Sequence, residues 1–338
     1  MQIPGSLRAP RPGGAVRRAL LCAIGFGAVL GAPAARAHDL DPAVYHAVAA
    51  ASLEIIVDGH LAGSGVVVDP AGWALTAGHA VIGAHGKVEV RSAVLARTVV
   101  EVTALDRGHD LALLRLPRRD MPYVAAPLAD ALPPVGTQVF LIGAPLFRHE
   151  VLFSGHVARD GLTFEYRPDQ GHYMQVALLA AASPLGTSGG PWFDRSGHVI
   201  GIQSGYIRDG NVPVGVAQIG PTRAVRALAT RRTRAQTPSI GVALEELWEH
   251  PADVVARYPA GAQGTLIVRL SPDGPAERAG VRPMDLVTHV DDAPVTLRDE
   301  VLGAIWRRPP GAMVRLRLWR PGEGARDVTL TTISLEGG

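Results

Sequence analysis

Three short stretches hold side chains able to share a proton and attack a carbonyl. The first, "SPLGTSGGPWFD" at 183–194, sets Ser188 among Gly186, Gly189 and Gly190 and closes on Pro191. A serine hydroxyl is a poor nucleophile near neutral pH. It needs a base, usually histidine, and the base needs an orienting acid. The oxyanion that forms needs hydrogen-bond donors. The chain has twelve histidines, so one histidine alone decides nothing. His79, in "GWALTAGHAV" (72–81), has a setting: it follows an apolar strand and lies among small residues. Asp110, in "ALDRGHDLALLRL" (104–116), stands where a turn enters an apolar strand. Taken singly, these are a turn serine, a core histidine and a strand cap; taken together they specify acyl transfer. "GTSGG" also fits G-x-S-x-G, the elbow of α/β-hydrolases. That elbow runs from strand into helix, with its acid and histidine after the serine. Here Gly189, Gly190 and Pro191 lead into a strand pattern, "GHVIGIQSG", and both partners precede the serine, which excludes the elbow.

The elements that must position these residues are short and β. "SLEIIVDG", "SGVVVD", "KVEVRS", "TVVEVTAL" and "DLALLRL" form one set, and "TQVFLIGA", "VLFSGHVA", "YMQVALLA", "HVIGIQSG" and "VPVGVAQI" a second. Regular short strands with turn signals predict a sandwich or a pair of barrels. The Pro-rich run at 117–136 connects the two sets. The stretch 221–233 reads as a helix with Val225 and Leu228 on its apolar face. A linker at 234–238 precedes a different module. There "GTLIVRLSP" is a strand, "GPAERAG" a short helix and "MDLVTHVDDAPV" a hairpin. The run 297–308 is a helix with Leu297, Val301, Leu302 and Ile305 on one stripe, and a last hairpin turns at 321–324.

The order His79, Asp110, Ser188, with the words "TAGHAV", "HDLALLRL" and "GTSGGP", resembles the chymotrypsin-like serine proteases. Longer stretches at 63–81, 103–116, 141–155 and 197–205 resemble the HtrA (Deg) group, and 264–295 is similar to a bacterial PDZ module. The resemblance implies a mostly β chain: a chymotrypsin-like double β-barrel protease domain at 38–233, then the linker, then an α+β PDZ domain at 239–335. It implies an exported serine endopeptidase acting on unfolded or damaged proteins in protein quality control and the stress response. The amides of Gly186 and Ser188 would form the oxyanion hole. Ala182, six residues before the serine, would be the pocket base and Val216 its wall, giving a small apolar pocket with no acid for Lys or Arg. Ser239, Ile240, Gly241 and Val242 match the carboxylate-binding loop of a PDZ domain, which takes peptide C-termini by strand addition. Val301 and Leu302 would line the facing helix, although Ile240 and Val242 equally suit the packing of a sheet. Thr187 departs from the Asn or Asp that precedes the serine in these groups, which puts the loop conformation in question. Family trimers use N-terminal aromatics, and Tyr45 is the one this segment offers; a homotrimer or higher oligomer is implied on that footing. A proteolytically weak or inactive chaperone or peptide sensor on the same fold is the alternative.

Residues 1–37 read as a cleavable signal peptide, with four arginines ahead of an apolar run at 19–32 and "ARA" at 35–37. Periplasmic export is therefore expected, and an uncleaved anchor facing the periplasm is the alternative. Removing five arginines and no acids takes the formal charge from +2 to −3, and no basic tract suggests nucleic acid. Cys22, the only cysteine, lies in this segment, so the mature chain carries no disulfide and no thiol nucleophile. Cleavage would leave His38 at the N-terminus, a copper ligand without a recognisable partner motif; no metal or cofactor is expected.

Overall fold

The computed structural model describes residues 40–84 and 86–337. The expected signal peptide, Cys22 and His38 lie outside the described residues. Among those residues, no helix is long and apolar enough to cross a membrane.

Helix α1, Pro42–Ala51, comes first. Asp41 accepts the Ala43 amide at 2.8 Å and Pro42 sets the first turn. Val48 and Ala49 pack on Phe140, Ile142 and Phe193. Its sequence, PAVYHAVAAA, is apolar around most of the circumference, so no helical stripe announces it. Tyr45 donates its hydroxyl to Glu150 O at 3.0 Å and packs against the chain's own second barrel.

Six strands close the first barrel: β1 Ser52–Val57, β2 His60–Asp69, β3 Trp73–Ala77, β4 Val88–Arg91, β5 Thr98–Asp106 and β6 Leu111–Arg115, in the order β1-β2-β3-β6-β5-β4. Strand β6 shows why the sequence reads as continuously apolar. Ala112 and Leu114 fill the barrel with Ile55, Val67 and Val90. Leu111 and Leu113 face the other way, onto Val199, Ile202, Val225 and Leu228. Buried on both faces, β6 has no polar side to alternate with.

The second barrel comprises β7 Gln138–Gly143, β8 Val151–Val157, β9 Thr163–Arg167, β10 His172–Ala181, β11 Pro191–Phe193, β12 Val199–Asp209 and β13 Val212–Pro221. The sheet order β13-β12-β11-β7-β8-β10 closes because β10 also pairs β13. Strand β9 stays outside the closure. It pairs only with His172–Val176 of β10, whose later residues, from Ala177, join the barrel wall. Helix α2, Thr222–Arg231, buries Val225 and Leu228 as its pattern predicts.

The C-terminal unit has a sheet in the order β15-β16-β17-β19-β20, with β18 on β17 and a separate β14–β21 pair. The strands are β14 Pro238–Ser239, β15 Val242–Glu246, β16 Thr265–Leu270, β17 Leu286–Val290, β18 Ala293–Pro294, β19 Met313–Arg320, β20 Gly324–Thr331 and β21 Ile333–Ser334. Short helices α3 Ala252–Val255 and α4 Pro275–Arg278 precede α5, Arg298–Trp306. Val301, Leu302 and Ile305 of α5 are buried, whereas Leu297 is the N-cap and 45% exposed, so the expected stripe loses its first member.

Candidate active site

His79 occupies the 3-10 turn Gly78–Ala80 directly after β3. Asp110 enters β6 with φ +53, a left-handed conformation that aspartate tolerates better than most residues. The two are tied through the backbone: Gly78 donates its amide to Asp110 O at 2.9 Å. The Asp110 carboxylate is buried. Oδ1 accepts the His79 amide at 2.8 Å, and Oδ2 faces His79 Nδ1 at 2.7 Å. Ser204 Oγ donates to the same Oδ2 at 2.5 Å. An ionised carboxylate only accepts, so Nδ1 carries the ring proton and Nε2 offers a lone pair. Ser204 escaped the sequence reading. Its only sign is a polar residue inside the apolar strand "HVIGIQSG".

The first barrel supplies His79 and Asp110, and the second supplies Ser188, in the turn between β10 and β11. Among the described residues, Ser188 Oγ and His79 Nε2 carry no hydrogen bond, and in an unliganded site such contacts are often long. The peptide groups around Ser188 are nearly all spoken for. Leu185 O accepts Leu146 N at 3.2 Å, Thr187 O accepts Gly190 N at 2.9 Å, and Ser188 O accepts Ser64 N at 2.7 Å. Gly186 O accepts Ser64 Oγ at 2.9 Å. Thr187 N donates to Pro184 O and Gly189 N to Gln203 O. Between residues 186 and 190, among the described residues, only the amides of Gly186 and Ser188 are left without an acceptor. A trans peptide points its N–H opposite to its C=O. The pinned carbonyls of Leu185 and Thr187 therefore turn those two amides to the other side of the loop. Gly186 sits at φ +96, and a Cβ there would lie 2.5 Å from Ala144 O, so glycine is required. Thr187 is fully buried, with Oγ1 on Pro184 O at 2.7 Å. Its departure from the family residue leaves the turn closed by its own hydroxyl.

Val216 is the register partner of Ala180, and Ala182 lies one residue past the end of that strand. Val216 is half-buried and Ala182 exposed.

The loop 239–242 turns at a glycine. Gly241 has φ +74, its amide meets Ser239 Oγ at 3.1 Å, and a Cβ on it would crowd Ser271. The groove beside it, however, is filled by the β9–β10 hairpin of the two-barrel unit. Tyr173 Oη accepts Leu244 N and donates to Leu244 O, both at 2.8 Å, and so occupies the open edge of β15. Phe164 and Tyr173 pack in one cluster with Ile240, Val242, Leu302 and Ile305. Phe164 also stacks edge-on to Trp306, with centroids 5.0 Å apart. The remaining cavity between Ser239–Val242, Leu302, Trp306 and Tyr173 is about 20 Å³, room for a water and not for a side chain. Ile240 and Val242 accordingly pack as core. Burial raises the Tyr173 phenol and the Glu165 carboxyl and lowers the His172 imidazole, so the hairpin favours its neutral forms.

The two-barrel fold is that of the trypsin-like peptidases. The comparisons agree. The Trypsin-like peptidase domain family matches residues 63–202 and the PDZ domain family residues 238–333. A probable periplasmic serine endoprotease DegP-like of Pseudomonas fulva (strain 12-X) is 28% identical over 265 residues, covering 77% of this chain and 53% of the relative. The namesake from Halomonas elongata is 29% identical over 272 residues, covering 80% and 56%. The chain thus spans about half the length of the curated relatives it matches. Among solved structures, the HtrA-type protease AlgW with decapeptide superposes with TM-score 0.64 at 19% identity, covering 86% of this chain and 97% of that one. A serine endoprotease from Yersinia pestis gives 0.59 at 21%, covering 86% and 96%. The chain thus carries a trypsin-like peptidase domain followed by a PDZ domain, and it is similar to DegP-like and HtrA-type serine proteases over most of its length.

Proposed function

We propose that this chain is an exported, periplasmic serine endopeptidase that cleaves unfolded polypeptides, with a PDZ domain that takes peptide C-termini. The observation that carries this reading is the buried Asp110 on His79 Nδ1 opposite a serine loop whose two unpaired amides face one way. His79 Nε2 takes the Ser188 proton as Oγ attacks the scissile carbonyl. Asp110 stabilises the imidazolium, and the amides of Gly186 and Ser188 receive the oxyanion. The imidazolium then protonates the leaving amine, and water, deprotonated by the same ring, releases the acyl group. Ala182 and Val216 are the pocket residues of this reading and suit small apolar side chains. A peptide library cut mainly after Lys or Arg would refute that assignment. The PDZ groove, filled by Tyr173 and Phe164, supports regulation: a C-terminal peptide reaches Ser239–Val242 only by displacing the hairpin.

Casein digestion and fluorophosphonate labelling, with and without C-terminal peptides, test the enzyme. Wild type is expected to cleave and to label at Ser188, and Ser188→Ala to do neither. Wild type that does neither with any peptide would leave the chaperone or sensor reading in its place.

A further inference from the structure

The stretch "GSG" at 63–65 belongs to neither the triad nor the oxyanion amides, yet its backbone runs against the nucleophile loop. A Cβ on Gly63 would stand 2.5 Å from Ser188 O, and one on Gly189 would land on Ser64 O. Ser64, between the two glycines, is 1% exposed, and each of its polar atoms is engaged. Its amide donates to Ser188 O at 2.7 Å, and its carbonyl accepts Thr76 Oγ1 at 2.7 Å. Its hydroxyl accepts the Ala144 amide at 3.0 Å and donates to Gly186 O at 2.9 Å. The roles are fixed, because an amide can only donate and a carbonyl can only accept. One side chain on β2 thus joins the first barrel, the residue after β7 and the serine loop.

Gly186 gains nothing from its own sterics. A glycine visits both signs of φ, so an external group must hold the peptide planes on either side of it. The Leu185–Gly186 peptide, which carries the Gly186 N–H, is held at Leu185 O by Leu146 N, and the Gly186–Thr187 peptide is held at Gly186 O by Ser64 Oγ; were the second to swing about Gly186, it would draw the first and its N–H off the oxyanion position. We propose that the Ser64 hydroxyl is the positioning group that keeps the Gly186 amide aimed at the oxyanion. This rests on the serine peptidase reading above. Ser64 touches no substrate; it acts through Gly186.

The test is steady-state hydrolysis of a short peptide substrate together with inhibition by a peptide boronate, whose tetrahedral Ser188 adduct places an oxygen at the oxyanion position. Ser64→Ala is expected to lower kcat about 10- to 100-fold, below the loss from deleting an oxyanion donor outright, with KM within about twofold. Boronate affinity is expected to fall by the same factor as kcat. A merely structural role would move the melting temperature or KM and leave the boronate-to-substrate ratio unchanged. Ser64→Cys keeps the size and a weak S–H donor; it is expected to fall between, and carries the test where the alanine variant folds poorly. Ser64→Ala with kcat and boronate affinity within about twofold of an active wild type overturns the assignment alone. A wild type that neither hydrolyses substrate nor takes the boronate removes the peptidase reading, and this assignment with it.

Discussion

At the scale of single residues, Asp110 organises the site. Its two oxygens receive the His79 ring, the His79 amide and the Ser204 hydroxyl, all in a buried position. The three bonds differ in what they do. The ring bond selects the tautomer, so Asp110→Asn, which offers an NH₂ where an acceptor is needed, should turn the imidazole the wrong way. We expect kcat to fall about 10⁴-fold with KM little changed. Ser204→Ala removes one donor and leaves the tautomer intact, for a loss nearer tenfold. Comparing kcat for both variants on one peptide substrate checks this. Similar modest losses in the two would mean that Asp110 is not orienting the base. Thr187, which the sequence flags as a departure, is explained at this scale too. It is buried and bonded within its own turn, so it replaces the family residue without opening the loop.

At the scale of elements, the strands were legible because barrel strands either alternate or, like β6, stay apolar on both faces, and Gly and Pro punctuate them. The three candidate residues were legible for a related reason: His79 follows a strand, Asp110 precedes one, and Ser188 lies in a glycine-rich turn. Strand β11, three residues long, and α1, with no polar side, offered no period to read. Ser64 and Ser204 were invisible because their partners lie 122 and 94 residues away in sequence. The β9–β10 hairpin was hidden for a further reason. "TFEYR" has a strand's alternation, but the surface it covers belongs to another domain. That hairpin carries its own test. Tyr173→Phe keeps the ring packing and removes the hydroxyl that satisfies both polar groups of Leu244. Those groups then become available to an added strand. Two hydrogen bonds are lost, each about 1 kcal/mol net, so C-terminal peptides should bind about 30-fold tighter. Fluorescence anisotropy with a labelled peptide measures it. Unchanged or weaker binding would mean that Tyr173 does not compete with the peptide.

At the scale of the whole molecule, the question is how the PDZ domain is held so that one hairpin can fill its groove. The two barrels share a core through Leu111, Leu113, Val199, Ile202 and α2, which fixes His79 and Asp110 relative to Ser188. The PDZ domain is attached by the hairpin, by an edge-on contact of His109 with Trp306 and by a polar clamp on the linker. Glu336 is buried and accepts the Thr237 amide and the Thr237 hydroxyl, each at 2.8 Å, together with Ser334 Oγ at 2.9 Å and the Arg107 amide at 3.3 Å. Arg107 Nη1 returns a bond to Leu335 O. This carboxylate therefore ties the linker, the last strand pair and the turn before Asp110 into one joint. Glu336→Gln keeps the shape but replaces one accepting oxygen with a donor; the hydroxyl at that oxygen can turn to accept, but the backbone amide there, of Thr237 or Arg107, loses its partner. Buried unpaired groups of this kind cost about 1–3 kcal/mol, which in a chain of this size lowers the melting temperature by a few degrees. The local signature is sharper than the global one. Hydrogen exchange should quicken at Thr237 and Arg107 while the Leu111–Leu114 amides, deep in the shared core, stay protected. Peptide affinity should rise as it does in Tyr173→Phe, because a loosened joint lets the hairpin leave the groove more often. Quickened exchange without any gain in peptide affinity would show that joint and groove open independently, and the clamp would then be structural rather than regulatory.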